Sequence, residues 1–287
     1  MSRLGVLFMR LLAPLPLRWV RALGWLLGWF LYAVVQPRRH VVQVNLSLCF
    51  PGWTRAERRK LVPKIFVRVA QSWLDRSWLW HGRPEVTRER LQLTGALAQL
   101  QGAQPTVLFA PHFVGMDAGW TALTQQVQRK FTGIYTGQSN KVVDAWSLAG
   151  RRRFSAGGAF GRADGVKAIV AALRAGDPLY LLPDMNFGPE ESIFVPFYGV
   201  PAATVPSLSR FARLGRAKVV PVVTRMTPDG YEVQILPAWD NFPSADTAAD
   251  TALMNRHLQD YIDQMPEQYY WVHKRFKTRP AGAAPVY

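Results

Sequence analysis

The chain has 287 residues, of which 49% are hydrophobic and 12% aromatic, so it is long and apolar enough to bury a core and is not a disordered protein. It has 35 Lys and Arg against 19 Asp and Glu. The resulting net charge of +16 predicts an anionic partner: nucleic acid, anionic lipid or an acidic protein. Its single cysteine, Cys49, excludes an internal disulfide and a cysteine-based zinc cluster, and it fits a reducing compartment.

The N-terminal stretch is predominantly apolar, but arginines interrupt it. Its longest apolar run, residues 22–35, has 14 residues, fewer than the ~20 that a membrane-spanning helix requires. Pro14 and Pro16 predict two helical pieces rather than one. We therefore predict a membrane-anchoring helical segment over 1–36, lying on the bilayer or shallowly inserted in it, followed by a single domain over 37–287. Two alternatives are open: one tilted membrane span, with the Arg18 and Arg21 side chains reaching the interface, and a buried N-terminal helix of the globular fold.

Beyond the N-terminal stretch, the spacing of apolar residues predicts alternating helices and strands. Thr54 and Glu57 have the spacing of a capping box and predict the start of a long helix over 54–80. Strands are predicted at 106–110, 131–136, 178–183, 217–224 and 231–236, and helices at 115–127, 142–153, 164–176, 204–215 and 248–264. Strands that alternate with helices predict an α/β fold with a largely parallel, mixed sheet flanked by helices and one antiparallel hairpin near the end.

The segment "FAPHFVGMD" places His112 just past the carboxyl end of a predicted strand, where open α/β sheets bind their ligands. Asp117 follows five residues later, in the first turn of the next predicted helix. A carboxylate that holds one imidazole nitrogen leaves the other able to accept a proton, so the pair is predicted as a catalytic dyad. The alternative is that Asp117 caps the helix and His112 hydrogen-bonds to a backbone carbonyl.

Three other segments bring polar side chains toward the same place. "LLPDMNFG" puts Asp184 after another buried strand, at the sheet edge predicted for His112. "FVPFYGVPAATVPS" is predicted as a loop that carries Thr204 to a helix N-terminus, a ready anion site. A run of three arginines begins at Arg151, and Arg162 follows it; a solvated helix end is the alternative explanation of that run.

Several common catalytic patterns are absent from the sequence. It has no Gly-x-Ser-x-Gly elbow, Walker A loop or dinucleotide fingerprint, and no second histidine at metal-ligand spacing from His112. We therefore expect neither a cofactor nor a metal. Cys49 lies in a helical segment far from any base. A base without a protein nucleophile predicts direct transfer of a group to a hydroxyl of the substrate.

Five segments, "NLSLCFPGWTRAERR", "APHFVGMD", "LPDMNFG", "FVPFYGVPAAT" and "PEQYYWVHKRFKTRP", resemble the late acyltransferases of lipid A biosynthesis. The resemblance is collinear and covers nearly the whole chain. The His-x-x-x-x-acid motif is shared more widely with glycerolipid acyltransferases. The chain departs from the family in two places: Asp117 stands where many members have Glu, and "PDMNFG" differs from the more frequent His-containing form.

The resemblance implies a glycerolipid acyltransferase-like fold and an O-acyltransferase. The enzyme would move a fatty acyl chain from acyl carrier protein, or from acyl-CoA, to a hydroxyl of a lipid A precursor. It also implies contact with membrane lipids at the cytoplasmic face of the bacterial inner membrane, and no nucleic acid. By the resemblance, His112 is the base, Asp117 its orienting acid and Arg151 the donor to the oxyanion, with phosphate binding as the alternative for Arg151.

The remaining site residues are expected to bind substrate or shape its site. The resemblance suggests a sugar phosphate for Arg162, a site-shaping role for Asp184, and an anionic group for Lys274 and Arg275, for which a structural role is equally open. Three other functions are left open by the sequence. They are the same chemistry on lysophosphatidate, a glycolipid or a polyene-type product; nucleic-acid binding; and a non-catalytic scaffold at the membrane surface.

Overall fold

The computed structural model describes residues 3–155, 158–161 and 165–287. The helices found there are α1 (Arg3–Leu12), α2 (Leu17–Val34), α3 (Gln36–Cys49), α4 (Arg55–His81), α5 (Pro84–Glu89), α6 (Met116–Gln126), α7 (Lys141–Arg152), α8 (Gly165–Arg174), α9 (Ser207–Gly215) and α10 (Thr247–Gln264). The strands are β1 (Leu91–Gly95), β2 (Thr106–Phe109), β3 (Thr132–Tyr135), β4 (Ala159–Gly161), β5 (Leu179–Leu181), β6 (Ile193–Phe197), β7 (Val200–Thr204), β8 (Lys218–Thr227) and β9 (Gly230–Ile235).

The main sheet has seven strands in the order β1-β9-β8-β2-β5-β3-β4. The strands from β8 to β4 run parallel to one another, whereas β9 pairs antiparallel with β8 and parallel with β1. Along β2, Val107 and Phe109 join one apolar cluster and Leu108 joins the other, so the sheet is covered on both faces. The predicted α/β fold with a largely parallel, mixed sheet is confirmed.

The capping box predicted for the long helix is present: the Thr54 side chain accepts from the Glu57 amide, and the Glu57 carboxylate accepts from the Thr54 amide. The helices and strands predicted after it are also found, with ends that differ by a few residues. The short edge strands β1 and β4 were not predicted.

The loop predicted before α9 is instead a second antiparallel hairpin, formed by β6 and β7. Tyr198 and Gly199 have φ angles of 50° and 74°, and two successive positive φ angles make the tight turn that joins neighbouring antiparallel strands. Thr204 is therefore the last residue of a strand, and α9 begins only at Ser207. The prediction that Thr204 stands at a helix N-terminus is wrong.

The N-terminal stretch forms two helices, as its prolines predict, and α2 lies directly against α4. A Cβ atom added at Gly24 would lie 2.8 Å from the Cα of Gln71, and one added at Gly28 would lie 2.4 Å from the Cα of Val67. Both approaches are too close for any side chain, so only glycine allows the two helix backbones to meet here. Among the described residues, no helix is both long and apolar enough to cross a membrane.

Arg21 ties α2 to the rest of the protein through a buried network. Its Nε lies 2.9 Å from Oδ2 of Asp75, which is fully buried in α4. The Arg21 Nη atoms donate to the backbone carbonyls of Thr227 and Gly230, at 3.3 and 3.2 Å. The Tyr231 hydroxyl donates to the same carboxylate at 2.7 Å. The N-terminal stretch is thus joined to α4 by a buried ion pair and to the β8–β9 hairpin by hydrogen bonds. Its division from the domain at residue 36 stays a prediction.

Replacing Arg21 with methionine should lower the free energy of unfolding by about 3–5 kcal/mol, because the Asp75 carboxylate would remain buried without its cation. Urea unfolding followed by tryptophan fluorescence would measure this loss. Arg18→Met is the matched control, since Arg18 is exposed on the same helix and should cost less than about 0.5 kcal/mol. Equal stability of the two variants would contradict the structural role of Arg21.

Candidate active site

The register of two parallel strands brings His112 and Asp184 together. Phe109 of β2 is paired with Leu181 of β5, and each strand ends at that pair. His112 and Asp184 each lie three residues further on, so they leave the sheet at the same edge. The predicted convergence of these two residues at one edge of the sheet is confirmed.

His112 is held by Asp184 through both its backbone and its ring. Its Nδ1 lies 2.8 Å from Oδ1 of Asp184, and its backbone N–H donates to both carboxylate oxygens at 3.1 and 3.3 Å. This contact selects the tautomer with the proton on Nδ1. The other nitrogen, Nε2, makes no hydrogen bond to any residue that the structure describes, and the His112 ring lines a cavity. Nε2 is therefore the atom of this pair that can accept a proton from a ligand.

Asp184 is fully buried and its oxygens are occupied by protein donors. The Tyr269 hydroxyl donates to its Oδ2 at 3.0 Å, in addition to the donors of His112. Burial raises the pKa of Asp184, but the charge of His112 and these hydrogen bonds outweigh burial and lower it. Asp184 is thus an ionised group that positions His112, and it is closed to direct contact with a substrate.

Asp117, the predicted partner of His112, is instead bound by two arginines. Its Oδ1 accepts from Nε of Arg151 at 2.9 Å and its Oδ2 accepts from Nε of Arg76 at 2.7 Å. Burial raises the pKa of Asp117, but the two guanidinium charges outweigh it and hold the pKa well below its usual range. The predicted contact between Asp117 and His112 is wrong, because both carboxylate oxygens face cations and Asp184 already holds the histidine.

Arg76 was not predicted as a site residue. It lies on α4, 41 positions before Asp117 in the chain, and its guanidinium stacks 4.3 Å from the ring of Trp73. The sequence shows only an arginine within a tryptophan-rich helix, "SWLDRSWLW", which is equally typical of a packed core. The helix packing that brings α4 beside α6 is a tertiary contact and leaves no local signal.

The cavity beside His112 has a volume of about 790 Å³, within the usual range for small-molecule sites. Its mainly apolar wall comes from β5, the loop after it and helices α8 and α9, and it also includes Glu191 and Arg210. Its charged wall comes from α4, α6 and α7. Representative lining residues are Ile169, Leu182, Phe187, Phe211, Leu214, Arg76, Asp117 and Arg151. An apolar wall next to a base and two arginines suits a ligand with both a hydrocarbon chain and an anionic group.

The other predicted substrate-binding residues have different positions. Arg275 is 1% exposed; its Nη atoms donate to the Ala203 carbonyl and to the Thr204 hydroxyl, both at 2.7 Å. Arg275 and Thr204 therefore bind each other inside the protein. Of the two roles left open for Arg275, this contact supports the structural one, and it leaves Thr204 buried rather than open to an anion. Lys274 is exposed and lies over the ring of Tyr287 rather than on the cavity wall. Arg162 lies outside the described residues.

Backbone hydrogen bonds from the C-terminal segment "PEQYYWVHKRFKTRP" hold the loop that carries His112. The His112 carbonyl accepts from the Tyr270 amide at 3.0 Å, and the Val114 amide donates to the Gln268 carbonyl at 2.8 Å. These bonds fix the backbone on both sides of the loop, and they leave the ring of His112 at the cavity wall. The segment "PEQYYWVHKRFKTRP" thus has a structural role in this chain.

The family described as "Bacterial lipid A biosynthesis acyltransferase" matches residues 1–278. This chain belongs to that family. It is therefore an acyltransferase, and the charged and apolar walls beside His112 form the candidate active site of an acyltransferase. No group of three or more potential metal ligands was found in the part of the chain that the structure describes.

Two relatives with similar sequences agree with the family assignment. The chain is 32% identical to the lipid A biosynthesis lauroyltransferase of Escherichia coli K12, which covers 99% of this chain and 93% of that protein. It is also 32% identical to the lipid A biosynthesis myristoyltransferase of the same organism, and that alignment covers 91% of this chain and 82% of the relative. Among solved structures, the 1-acyl-sn-glycerophosphate acyltransferase of Thermotoga maritima is similar with a TM-score of 0.42 and 11% identity, covering 85% of this chain and 97% of that one.

A second histidine of the acyltransferase, His273, lies behind the site and is neutral. Its Nε2 accepts from the Asn186 amide at 3.2 Å. Burial, and to a lesser extent the nearby charge of His112, lowers the pKa of His273 to about 4. Protonation of His273 would remove the acceptor of this hydrogen bond, which helps to hold the loop that follows Asp184.

Because of His273, we expect the free energy of unfolding to decrease as the pH falls from 6.5 to 4. In that window the unfolded chain binds the proton that the folded chain excludes, so the free energy of unfolding falls as the pH falls. Between pH 7.5 and 5.0 the contribution of His273 is about 2 kcal/mol. In His273→Gln the amide oxygen can still accept from Asn186 but does not titrate, so urea unfolding should show a decline smaller by that amount. Equal declines in the two proteins would contradict the buried neutral state.

Proposed function

We propose that this acyltransferase moves a fatty acyl chain from the thioester of acyl carrier protein to a hydroxyl of a lipid A precursor, as secondary acylation in lipopolysaccharide biosynthesis. The supporting observation is the geometry of His112 within this family. Its Nδ1 is held by buried Asp184, while its Nε2 lacks a protein partner among the described residues and the ring lines the cavity. A histidine so placed has the form of a general base.

The proposed reaction is a direct transfer. His112 Nε2 accepts the proton of the acceptor hydroxyl while the hydroxyl oxygen attacks the thioester carbonyl, and the Asp184 carboxylate stabilises the imidazolium that forms. The tetrahedral intermediate then collapses, the carbon–sulfur bond breaks and the departing thiolate takes the proton from His112. Cys49 is buried in α3, and burial raises the pKa of its thiol, so it is unsuited to act as a nucleophile.

The N-terminal helices supply a surface that suits a lipid membrane. Large apolar side chains are exposed along α1 and α2: Leu4, Leu7, Phe8, Leu11, Trp19, Leu23, Trp25, Leu26, Trp29 and Phe30. Exposed arginines Arg3, Arg10 and Arg18 accompany them, and they can contact anionic headgroups. Both helices pack on α4, which also carries Arg76 of the cavity wall. We propose that this face binds the cytoplasmic surface of the bacterial inner membrane and admits the lipid acceptor from it.

The donor is proposed to be acyl carrier protein because the chain has a net charge of +16 and the carrier protein is acidic, so attraction between opposite charges would speed their encounter. Acyl-CoA is the alternative donor. The same His112 chemistry would serve lysophosphatidate as an alternative acceptor.

The proposal is tested by incubating the purified protein in mixed phospholipid and detergent micelles with each donor and each acceptor, followed by mass spectrometry. Acyl carrier protein with the lipid A precursor should give a product heavier by one acyl group, and His112→Ala should give none. Lipid A from cells with and without the gene should differ by the same acyl group. A product with lysophosphatidate alone, or full activity of the His112→Ala variant, would overturn the proposal.

A further inference from the structure

We infer that Asp117 holds Arg76 and Arg151 as a two-arginine binding site for a phosphate group of a substrate. This site, defined by these three residues, is called here the arginine clamp. The inference rests on the proposed function in that both substrates of acyl transfer enter the cavity. It differs from the dyad expected from the sequence, because it gives Asp117 a role in binding rather than in proton transfer.

The geometry of the arginine clamp leaves the donating ends of both arginines available. Each arginine uses its Nε to bind one oxygen of Asp117, at 2.7 and 2.9 Å. The four Nη nitrogens make no hydrogen bond to any other described residue. Both side chains line the cavity together with His112. The carboxylate therefore fixes the base of each guanidinium, while the outer nitrogens remain able to bind a ligand.

In addition to their contacts with Asp117, the two guanidinium groups lie over aromatic rings. The guanidinium of Arg76 lies 4.3 Å from the ring centroid of Trp73 and 5.5 Å from that of Trp80. The guanidinium of Arg151 lies 5.5 Å from the ring centroid of Tyr135. Stacking on an aromatic face restricts how the planar group can turn. The arginine clamp is thus arranged before any ligand arrives, which reduces the entropy cost of binding.

The charge and shape of the arginine clamp favour phosphate over a single oxyanion. Two arginines and one carboxylate give it a net charge of +1 when all three are ionised. Planar guanidinium forks bind the several oxygens of a phosphate in pairs, and two forks offer more donors than the lone oxyanion of a tetrahedral intermediate accepts. The phosphate has two possible sources among the proposed substrates: the sugar phosphate of the acceptor or the phosphopantetheine arm of the donor.

Binding of small probes tests the arginine clamp without any acyl transfer. Calorimetry would compare glucosamine 1-phosphate with glucosamine, and 4′-phosphopantetheine with pantetheine. The phosphorylated member of one pair should bind the wild-type protein and lose about 10- to 100-fold in affinity in Arg76→Gln. Its phosphate-free partner should bind both proteins equally, and the pair that responds identifies the source. If neither phosphate probe binds the wild-type protein, or if Arg76→Gln binds as tightly, the inference is wrong.

Matched variants separate the charge of the arginine clamp from its geometry. Arg76→Lys keeps the charge but loses the fork, so it should recover only part of the affinity. Arg152→Gln removes an exposed arginine next to Arg151 and should bind like the wild type. Melting temperatures of all variants would show whether they fold. Full affinity in Arg76→Lys would mean that a point charge suffices and would overturn the two-fork site.

Steady-state kinetics then distinguish substrate binding from catalysis. Arg76→Gln and Asp117→Asn should raise the KM for the phosphate-bearing substrate about 10- to 100-fold, with kcat changed only a few-fold. A large fall in kcat at unchanged KM would mean that the arginines act on the transition state, and it would overturn the inference. If the wild-type protein transfers no acyl group, the proposed function fails while the probe measurements still decide the arginine clamp.

Discussion

Replacing His112 with glutamine is expected to lower kcat/KM for acyl transfer by roughly 10²- to 10⁴-fold, the range that a positioned general base contributes. Glutamine can keep a hydrogen bond to Asp184 through its amide, but it offers no basic nitrogen to the acceptor hydroxyl. The loop around residue 112 should stay in place, because the backbone bonds to Gln268 and Tyr270 do not depend on the side chain. The rate of product formation, measured by mass spectrometry, checks this result.

The control for this variant is His40→Gln. His40 is exposed on α3, outside the cavity wall, so its replacement should leave activity unchanged. Melting temperatures of both variants should lie close to that of the wild type. If His112→Gln retained more than about a tenth of the wild-type rate, His112 would not be a general base of the usual strength.

Asp184→Asn is expected to lower kcat by about 10⁴-fold, by analogy with the loss of the buried aspartate in a Ser-His-Asp triad. The carboxylate accepts the proton of His112 Nδ1 at 2.8 Å and stabilises the imidazolium. An amide in its place favours the other tautomer, which puts the proton on Nε2, where the acceptor hydroxyl needs a base. The variant should also be less stable than the wild type, since it leaves the buried donors of His112 and Tyr269 with a poorer acceptor.

A large fall in kcat at nearly unchanged KM, measured below the melting temperature of the variant, separates positioning of His112 from mere structural support. Tyr269→Phe is the control: it removes one hydrogen bond at 3.0 Å from Asp184 but leaves the contact with His112, so a loss of about tenfold or less is expected. If Asp184→Asn lowered activity only through a lower melting temperature, the positioning role would be contradicted.

The two carboxylates near His112 thus differ in what their replacement should change. Asp184 contacts the ring, so its loss should appear in kcat. Asp117 contacts Arg76 and Arg151, so its loss should appear in the KM of the phosphate-bearing substrate. Comparing the two asparagine variants in one assay is therefore the most direct experiment on how this site divides binding from proton transfer.

Much of the fold was predictable because it depends on local patterns. The alternation of apolar runs indicated strands and helices, the spacing of Thr54 and Glu57 marked the start of α4, and the prolines at 14 and 16 divided the N-terminal helices. The meeting of His112 and Asp184 was also predictable. Both follow buried strands, and the carboxyl ends of parallel strands lie at one edge of a sheet.

Only the tertiary structure decided which carboxylate serves the histidine. Asp117 is near His112 in sequence, but it lies on α6, where both of its oxygens meet arginines; one of these, Arg76, comes from α4, 41 positions away. Asp184 reaches His112 from 72 positions away because Phe109 pairs with Leu181 in the sheet. Sequence spacing determined the candidates. Helix packing and strand register determined the contacts, since burial leaves each charged group only the partners that the fold brings to it.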